Sequence, residues 1–288
     1  MGGLGDEPPG SGNPLPRGRG CRQTVWVLRS ESQVSEPHPR KRDPAPGDGR
    51  MSQYLELHPV TPQTRLIRIA AGIVRAGGII AYPTDSCYAL GWHIGDARAI
   101  ERVRRIRQAD RHHHFTLVCA DLAEVGRFAR IETWQFRMLR SCLPGPYTFL
   151  LKATRETPRR LQHERRRTIG VRIPSHPVPQ LLLAELGEPL MSSTLIVPDE
   201  PESLSAAPAS ADVAEDRRRE RDGSEAIPAS PLTSGREIQR RLEHEIDAVL
   251  DGGDCGVEPT TVVDLSVTPP VVLRQGKGPL APILGASG

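Results

Sequence analysis

The stretch TRLIRIAAGIVRAGGIIAY, residues 64–82, joins a helical pattern to a strand pattern through two glycines. Over residues 64–76 the apolar side chains recur every three or four positions, which is the period of an amphipathic helix. The pair Gly77 and Gly78 is typical of a helix C-terminus, and the apolar run at 79–82 predicts a buried strand. A helix that leads directly into a short strand indicates the α/β class.

The same two patterns alternate along the rest of the chain. Helical periodicity predicts further helices at residues 97–107, 134–141, 178–186 and 236–250. Short apolar runs predict strands at residues 115–119, 148–152, 168–173, 190–196, 261–265 and 271–274. We therefore predict an α/β (α+β) fold in which an open, twisted mixed sheet has helices packed on it.

Two segments lack both patterns. Only 37% of the 288 residues are hydrophobic, and residues 1–50 and 198–234 are rich in Pro, Arg and Ser and show no apolar periodicity. Such compositions cannot bury enough apolar surface to become ordered. We predict a disordered leader over residues 1–50, with Met51 as an alternative start. One domain over residues 51–288 would then carry a disordered insertion in a loop.

Composition also excludes several classes of protein. No apolar run reaches the roughly 20 residues that cross a bilayer, and the first residues lack the layout of a secretion signal, so we expect a cytoplasmic protein. The five cysteines are scattered without C-x-x-C pairs, which favours reduced thiols over a zinc site or a disulfide framework. A net charge of +3 does not by itself indicate nucleic-acid binding.

The first candidate site is the turn that follows the strand at 79–82. Residues 82–91, YPTDSCYALG, place several hydroxyl groups where the strand ends, and open α/β sheets usually bind ligands at such ends. A simpler interpretation is a capped turn in which Thr84 or Asp85 is the N-cap of a helix. This stretch alone fits both interpretations.

The second candidate is the basic segment at 102–114, where arginines on a helix lead into His112, His113 and His114. Arginine forks and histidines offer donors for phosphate oxygens, although a solvated helix face explains part of the charge. Adjacent histidines cannot all face one ion, and no cysteine or carboxylate lies at ligand spacing. We therefore predict no protein-bound metal here.

Two strands carry further candidates. Thr148 and Lys152 follow the segment PGPYTF and are an even number of residues apart, so they lie on one strand face and could line a common pocket. Arg172 lies between two apolar residues, and a cation in such surroundings usually has an anionic partner. The alternative is an arginine that emerges at a sheet edge.

Together these segments resemble the YrdC/YciO family of threonylcarbamoyl-adenylate synthase-like proteins. The motifs that carry the resemblance follow the family's order: P-T-[ED]-T-x-Y-G-L-G at 82–91, P-G-P-x-T at 144–148, G-V-R-x-P at 170–174, and T-[VI]-V-D with R-x-G at 261–264 and 274–276. Four motifs in this order make the match specific. It spans residues 51–278 apart from the predicted insertion.

The resemblance implies a basic concave cavity and, in active members, a nucleotidyltransferase. Such members join L-threonine, bicarbonate and ATP into threonylcarbamoyl-adenylate for modification of adenosine 37 in tRNA. Mg²⁺ would accompany ATP. Comparison with the family motifs places Thr84, Lys152 and Arg172 around the threonine. The residues it places at the nucleotide are Arg107, His113, Thr148, Thr194 and Arg274.

Two departures from the family pattern indicate the YciO branch. Active synthases carry Lys-x-Arg after the second helix, where residues 107–109 read RQA and end on Ala109. Their Ser-x-Asn falls on residues 194–196, TLI, so that Ile196 replaces the amide. Losing an important donor weakens transition-state stabilisation by about 2.7–4 kcal/mol, which predicts a weak or divergent synthase. The alternative is a non-catalytic protein that binds tRNA or double-stranded RNA.

Overall fold

A computed structural model describes residues 51–108, 115–163, 165–198 and 229–284. The predictions for residues 1–50, Ala109, His113 and most of the insertion lie outside this range. The described helices are α1 (Thr64–Arg75), α2 (Ala97–Arg107), α3 (Leu122–Phe128), α4 (Thr133–Cys142), a 3-10 turn (Arg159–Leu161), α5 (Pro177–Leu186), α6 (Gly235–Leu242) and α7 (Ala281–Leu284). The described strands are β1 (Gln53–Glu56), β2 (Ile80–Tyr82), β3 (Ala89–His93), β4 (Thr116–Val118), β5 (Tyr147–Lys152), β6 (Thr168–Arg172), β7 (Leu190–Thr194), β8 (Ile196–Pro198), β9 (Ala229–Pro231), β10 (Ala248–Asp251), β11 (Thr261–Asp264) and β12 (Val271–Arg274).

Ten strands form one mixed sheet in the order β1-β10-β2-β3-β7-β4-β6-β5-β11-β12. Parallel pairing joins β1 to β10, β10 to β2, β4 to β6 and β5 to β11, whereas the other neighbours in this sheet are antiparallel. Strands β8 and β9 form a separate antiparallel pair. The large mixed sheet with helices packed on it confirms the predicted fold class.

Buried apolar side chains cover the sheet unequally. Around β5 and β6, Phe149 and Val171 belong to a core cluster that also holds Leu139 of α4. Because side chains alternate along a strand, their neighbours Thr148 and Arg172 point to the opposite face. That face forms a cavity that Thr148 and Arg172 help to line, and it positions the candidate site.

The predicted helix at 236–250 is wrong in its second half. Helix α6 ends at Leu242, and strand β10 follows between β1 and β2. Ala248, Val249 and Leu250 are all fully buried, as a strand covered on both faces requires. These apolar residues continue the helical period of α6, and this continuity hides the boundary in the sequence.

The predicted strand at 190–196 spans two strands, because β7 ends at Thr194 and β8 begins at Ile196. Strand β9 lies within the segment predicted as an insertion and pairs with β8, so the end of that segment is ordered. Strands β1 and β3 and helix α3 were not predicted. Helix α2 has the predicted bounds, and α1 ends one residue before its predicted end.

Candidate functional site

The turn after β2 is closed by its own hydroxyl groups. Thr84 Oγ1 donates a hydrogen bond to the carbonyl oxygen of Cys87 at 2.6 Å and accepts one from the backbone N–H of Ser86 at 3.2 Å. The turn leads into β3, which pairs with β2 in antiparallel fashion. Neither Thr84 nor Asp85 is therefore the N-cap of a helix, and the capped-helix interpretation is wrong.

Arg172, the last residue of β6, holds this turn from the middle of the sheet. Its Nη2 donates to Thr84 Oγ1 at 3.1 Å and to Ser86 Oγ at 3.0 Å, and its guanidinium pairs with the carboxylate of Asp85. Asp85 Oδ2 also accepts from the backbone N–H and the hydroxyl of Ser175, at 2.8 and 3.0 Å. Because β6 lies between β4 and β5, the sheet-edge interpretation of Arg172 is wrong.

The guanidinium of Arg172 is largely inaccessible to solvent. Only 7% of the residue is exposed, and among the described residues its buried Nε has no hydrogen-bond partner. A guanidinium whose orientation is set by two hydroxyls needs little rearrangement to meet an anion. An incoming carboxylate would compete with Asp85 for this cation.

The open face of the sheet beside Arg172 forms a cavity of about 260 Å³, which we call the sheet cavity. In the strand register Ser192, Thr116, Gly170 and Leu150 lie side by side on β7, β4, β6 and β5, and they form its floor. Gly170 has no side chain to fill the space above it. The hydroxyl groups that line the cavity belong to Thr116, Thr148, Ser192, Ser193, Thr194 and Thr260.

Two further arginines, Arg107 and Arg274, line the sheet cavity. Arg107 Nη1 donates to Ser193 Oγ at 2.5 Å, and Arg274 donates to the carbonyl oxygen of Thr260 at 3.0 Å from Nη2 and 3.2 Å from Nε. Burial and the nearby charge of Arg274 lower the pKa of Arg107 to about 10, and burial also lowers the pKa of Arg274. Both remain protonated at neutral pH, so the cavity holds cations that repel each other until an anion lies between them.

The segments around residues 260–264 and 274–276 hold this wall of the sheet cavity in place. Thr260 Oγ1 lies 2.9 Å from Thr148 Oγ1, which joins the segment before β11 to β5. The backbone N–H of Gly276 donates to Thr261 Oγ1 at 3.0 Å, and a Cβ at this position would collide with the carbonyl oxygen of Pro259. Only glycine allows this close approach, which explains the glycine that follows Arg274 in the R-x-G motif.

The structure brings together six of the eight predicted site residues. Thr84 contacts Arg172, and Arg172 lines the sheet cavity along with the predicted nucleotide residues Arg107, Thr148, Thr194 and Arg274. Ile196, where the family motif has an amide, also forms part of the cavity wall. His113 lies outside the described residues.

Lys152 does not join this group. In the β5–β6 register it pairs with Thr168, at the opposite end of the hairpin from Arg172. Thr148 and Lys152 do share a strand face, but four residues of strand separate them by about 13 Å. The side chain of Lys152 is exposed and lines a different cavity, so its predicted place beside Thr84 and Arg172 is wrong.

Several polar residues of the site were missed in the sequence. Ser192 and Ser193 precede Thr194 in β7, and a polar run in an otherwise buried strand was the available signal. Ser86 stands inside the recognised turn motif, but its contact with Arg172 depends on tertiary structure. Lys277 Nζ donates to the carbonyl oxygen of Asp85 at 2.6 Å, and no local pattern indicated this contact.

The cysteines near the turn are structural thiols. Cys255 Sγ donates to the carbonyl oxygen of Thr84 at 3.6 Å, and burial raises the pKa of Cys255 to about 11. Burial also raises the pKa of Cys87, so neither thiol is a ready nucleophile at neutral pH.

Within the described ranges, no group of three or more His, Cys, Asp or Glu side chains could hold a metal ion. In the same part of the chain, no helix has the length and apolar character to span a bilayer.

An open mixed sheet with helices packed on it, and three arginines among hydroxyl groups on its uncovered face, is an α/β fold of the YrdC type. The family model Sua5/YciO/YrdC, described as "Telomere recombination", matches residues 72–218 and 225–276. The chain belongs to this family, as its motifs predicted.

The relatives place it near the YciO branch. "Uncharacterized protein YciO" of Escherichia coli K12 is 44% identical over 234 residues, covering 81% of this chain and all of YciO. The crystal structure of E. coli YciO superimposes with a TM-score of 0.67 over 81% of this chain and all of that one, at 43% identity. The threonylcarbamoyl-AMP synthase of Chromobacterium violaceum is 38% identical over 137 residues, 47% of this chain and 70% of the synthase.

A more distant structure shares the fold. Pyrococcus abyssi Sua5 complexed with L-threonine superimposes with a TM-score of 0.67 over 82% of this chain and 61% of Sua5, at 23% identity. Similarity at this level shows the fold alone.

Proposed function

We propose that the protein is a divergent L-threonylcarbamoyladenylate synthase, a nucleotidyltransferase that converts L-threonine, bicarbonate and ATP into threonylcarbamoyl-adenylate and pyrophosphate. The observation that carries the proposal is the convergence of Arg107, Arg172 and Arg274 on one hydroxyl-lined cavity. The relatives that are named threonylcarbamoyl-AMP synthases support it. The product would serve the t6A modification of tRNA in the cytoplasm.

In this proposal Arg172 binds the carboxylate of L-threonine. Its guanidinium is already oriented by Thr84, Ser86 and Asp85, and its Nε has no partner among the described residues, so a carboxylate that shares this cation with Asp85 gains a charge-assisted hydrogen bond. The threonine amine joins the carbon of bicarbonate with loss of water, and an oxygen of the resulting carbamate attacks the α-phosphate of ATP, from which pyrophosphate leaves. A fixed carboxylate position restricts where that carbamate oxygen can lie.

Arg107 and Arg274 would bind the phosphates. Negative charge grows on the leaving pyrophosphate as the bond to the α-phosphate breaks, and two cations held in a partly buried wall stabilise that charge. Mg²⁺ would enter with ATP, held by the phosphates themselves, because the described lining residues include no carboxylate. The hydroxyls of Thr148 and Thr194 can accept or donate hydrogen bonds around the nucleotide.

The test is product formation by the full chain. We expect threonylcarbamoyl-adenylate and pyrophosphate from ATP, Mg²⁺, bicarbonate and labelled L-threonine, and at least a hundredfold less product from Arg172→Ala. Arg98→Ala removes an exposed arginine near the start of α2 and serves as the matched control. Product from wild type no greater than from Arg172→Ala would reject the proposal.

A second candidate is a protein that binds tRNA or double-stranded RNA without chemistry. The observation that favours it is Ile196, an apolar side chain in the cavity wall where active synthases carry an amide. Calorimetric titration separates the two candidates. Binding of ATP and threonine supports the synthase, whereas RNA binding that falls steeply with salt, with neither small ligand bound, supports the second candidate.

A further inference from the structure

A second cavity lies at the other end of the β5–β6 hairpin. Its volume is about 780 Å³, and its lining residues come from the segment around Arg130, the end of β5, and residues 153–167. Because Lys152 opposes Thr168 at this end of the hairpin, the cavity is separate from the sheet cavity beside Arg172. We call it the arginine cavity.

The lining of the arginine cavity is strongly basic. Its cations are Arg130, Lys152, Arg155, Arg159, Arg166 and Arg167. The described lining residues include no carboxylate. Asp264, which is itself almost fully buried, lies 3.3 Å from Arg166 Nη1. One such partner leaves a large excess of positive charge facing the cavity.

Hydrogen bonds from side chains to backbone carbonyl groups hold the rim of the arginine cavity in place. Thr154 Oγ1 donates to the carbonyl oxygen of Arg127 at 2.6 Å, and Thr157 Oγ1 donates to that of Phe128 at 2.5 Å. Gln162 Nε2 donates to the carbonyl oxygen of Thr157 at 2.7 Å. The loop that carries Arg155 and Arg159 is thus tied to the end of α3, which reduces the ordering that a ligand would have to impose.

The backbone at Arg167 adds a second observation. Its φ of +52° lies in the left-handed region, which residues other than glycine rarely adopt. The preceding turn is held by His163 Nδ1, which accepts from the backbone N–H groups of Arg165 and Arg166, each at 3.2 Å. The N–H of Arg167 donates to the carbonyl oxygen of His163 at 2.9 Å, and its carbonyl oxygen accepts from the N–H of Ala153 at 2.8 Å, so the backbone holds Arg167 in this conformation at the cavity.

The chemistry of the lining limits the ligand. Among the described lining residues its one ring is the imidazole of His163, which is engaged by the backbone N–H groups of Arg165 and Arg166, and its one apolar residue is Ala153. The lining therefore offers no Phe, Tyr or Trp face on which a base could stack. The arginines are exposed, and an isolated phosphate would be held weakly by such side chains in high-dielectric surroundings. Several linked phosphates would contact several arginines at once and release counterions together.

We propose that the arginine cavity is a second anion site that binds a run of linked phosphate groups, separate from the sheet cavity. The phosphates could belong to a free polyphosphate or to the backbone of an RNA. The proposed synthase activity is not needed for this inference.

The test compares two triple variants of the full chain. Arg155→Gln, Arg159→Gln and Arg167→Gly together remove three cavity charges, and glycine suits the backbone at 167. The matched control, Arg65→Gln, Arg98→Gln and Arg137→Gln, removes three exposed arginines from α1, α2 and α4, which contribute no described residue to the cavity. Thermal melts establish that both variants fold.

Tripolyphosphate, measured by calorimetry, and a double-stranded RNA, measured by filter binding at several KCl concentrations, are the probes. We expect the cavity variant to bind at least one probe about tenfold more weakly than wild type, and the control to stay within about twofold. For RNA, the slope of log K against log salt should fall by about two to three. Loss of RNA binding alone identifies an RNA backbone as the source, and loss of tripolyphosphate binding alone identifies a free polyphosphate.

A third variant, Arg274→Ala, separates the two cavities. It removes a cation of the sheet cavity and should leave binding at the arginine cavity intact. The inference is overturned if wild type binds neither probe, if the cavity and control variants lose affinity equally, or if Arg274→Ala abolishes the binding that the cavity variant retains.

Discussion

The two cavities use the same residue, arginine, in opposite physical states. In the sheet cavity Arg172 is 7% exposed and is hydrogen-bonded to Thr84 and Ser86. In the arginine cavity the side chain of Arg166 is 61% exposed. A buried guanidinium has a fixed direction and a costly charge, which suits one small ligand in one pose. An exposed guanidinium is adaptable and screened by salt, which suits a polyanion bound through many weak contacts.

The largest expected effect comes from removing the cation of each ion pair. Arg172→Ala leaves Asp85 without its cation near the core, so we expect the free energy of unfolding to fall by about 3 kcal/mol. Arg166→Ala should lower it by less than about 1 kcal/mol, because Asp264 keeps two hydrogen bonds from Ser266, at 2.8 and 2.6 Å, and Arg166 is largely solvated. Urea unfolding curves measure both values. Equal losses of unfolding free energy in the two variants would contradict the difference between the buried and the exposed arginine.

The next largest effect is the change in the rate of adenylate formation when one amide is added to the wall of the sheet cavity. Ile196→Asn places an amide in the wall of the sheet cavity, and we expect about a tenfold increase in adenylate formation because one donor there acts on a fixed ligand. Ile196→Val is the control, since it changes volume without adding a donor. By contrast, Arg155→Gln alone should weaken phosphate binding at the arginine cavity only two- to threefold. An unchanged rate for Ile196→Asn would contradict the assigned geometry.

The cost of burying charge gives a smaller effect. Burial lowers the pKa of Arg107 to about 10, so its charged form is less favourable in the folded state. Arg107→Gln should raise the free energy of unfolding by about 1 kcal/mol, after allowance for solvent at this half-buried site, while it weakens ATP binding. Arg159→Gln in the arginine cavity should leave stability unchanged. Thermal melts with and without ATP measure the stability of both variants and the ATP binding of Arg107→Gln. If Arg107→Gln is less stable than wild type, other groups compensate the buried charge of Arg107.

The smallest effect is a pH dependence at the N-terminus of α5, near Asp85. His176 is the N-cap of α5, where Nδ1 accepts from the backbone N–H of Val178 at 3.2 Å, and burial lowers its pKa below 6.5. The unfolded chain therefore binds this proton more readily, and its contribution to stability is present above pH 6.5 and is lost as pH falls below it. Urea unfolding curves at pH 7.5 and pH 5.5 measure the loss as a lower free energy of unfolding at the lower pH. His176→Asn keeps a capping oxygen and should remove this part of the dependence.

Local sequence patterns predicted the structural features that depend on residues close together in the sequence. The apolar period gave the bounds of α2, and the motif around Thr84 identified the turn. Lys152 was misplaced because strand parity gives the face of a residue and not its position along the hairpin. Strand β10 was missed because its apolar residues continue the period of α6, and only its pairing with β1 and β2 distinguishes it from a helix.

The arginine cavity had a visible signal, the arginines at 155–167, but no local feature showed that they share one concavity with Arg130. The pairing of Arg172 with Asp85 was anticipated only as an unspecified anionic partner. Contacts between residues distant in sequence were recoverable only where a family motif recorded them.

The position of β10 has a consequence for synthesis of the chain. Strand β1 pairs in the sheet with β10, and Tyr54 is hydrogen-bonded to Asp251, 197 residues later. The beginning of the domain therefore emerges from the ribosome without its partner and waits about 10 to 40 s for it at ordinary translation rates. Fragments that stop before residue 248 leave an edge of β2 unpaired, and nascent chains of that length should be the ones that recruit chaperones.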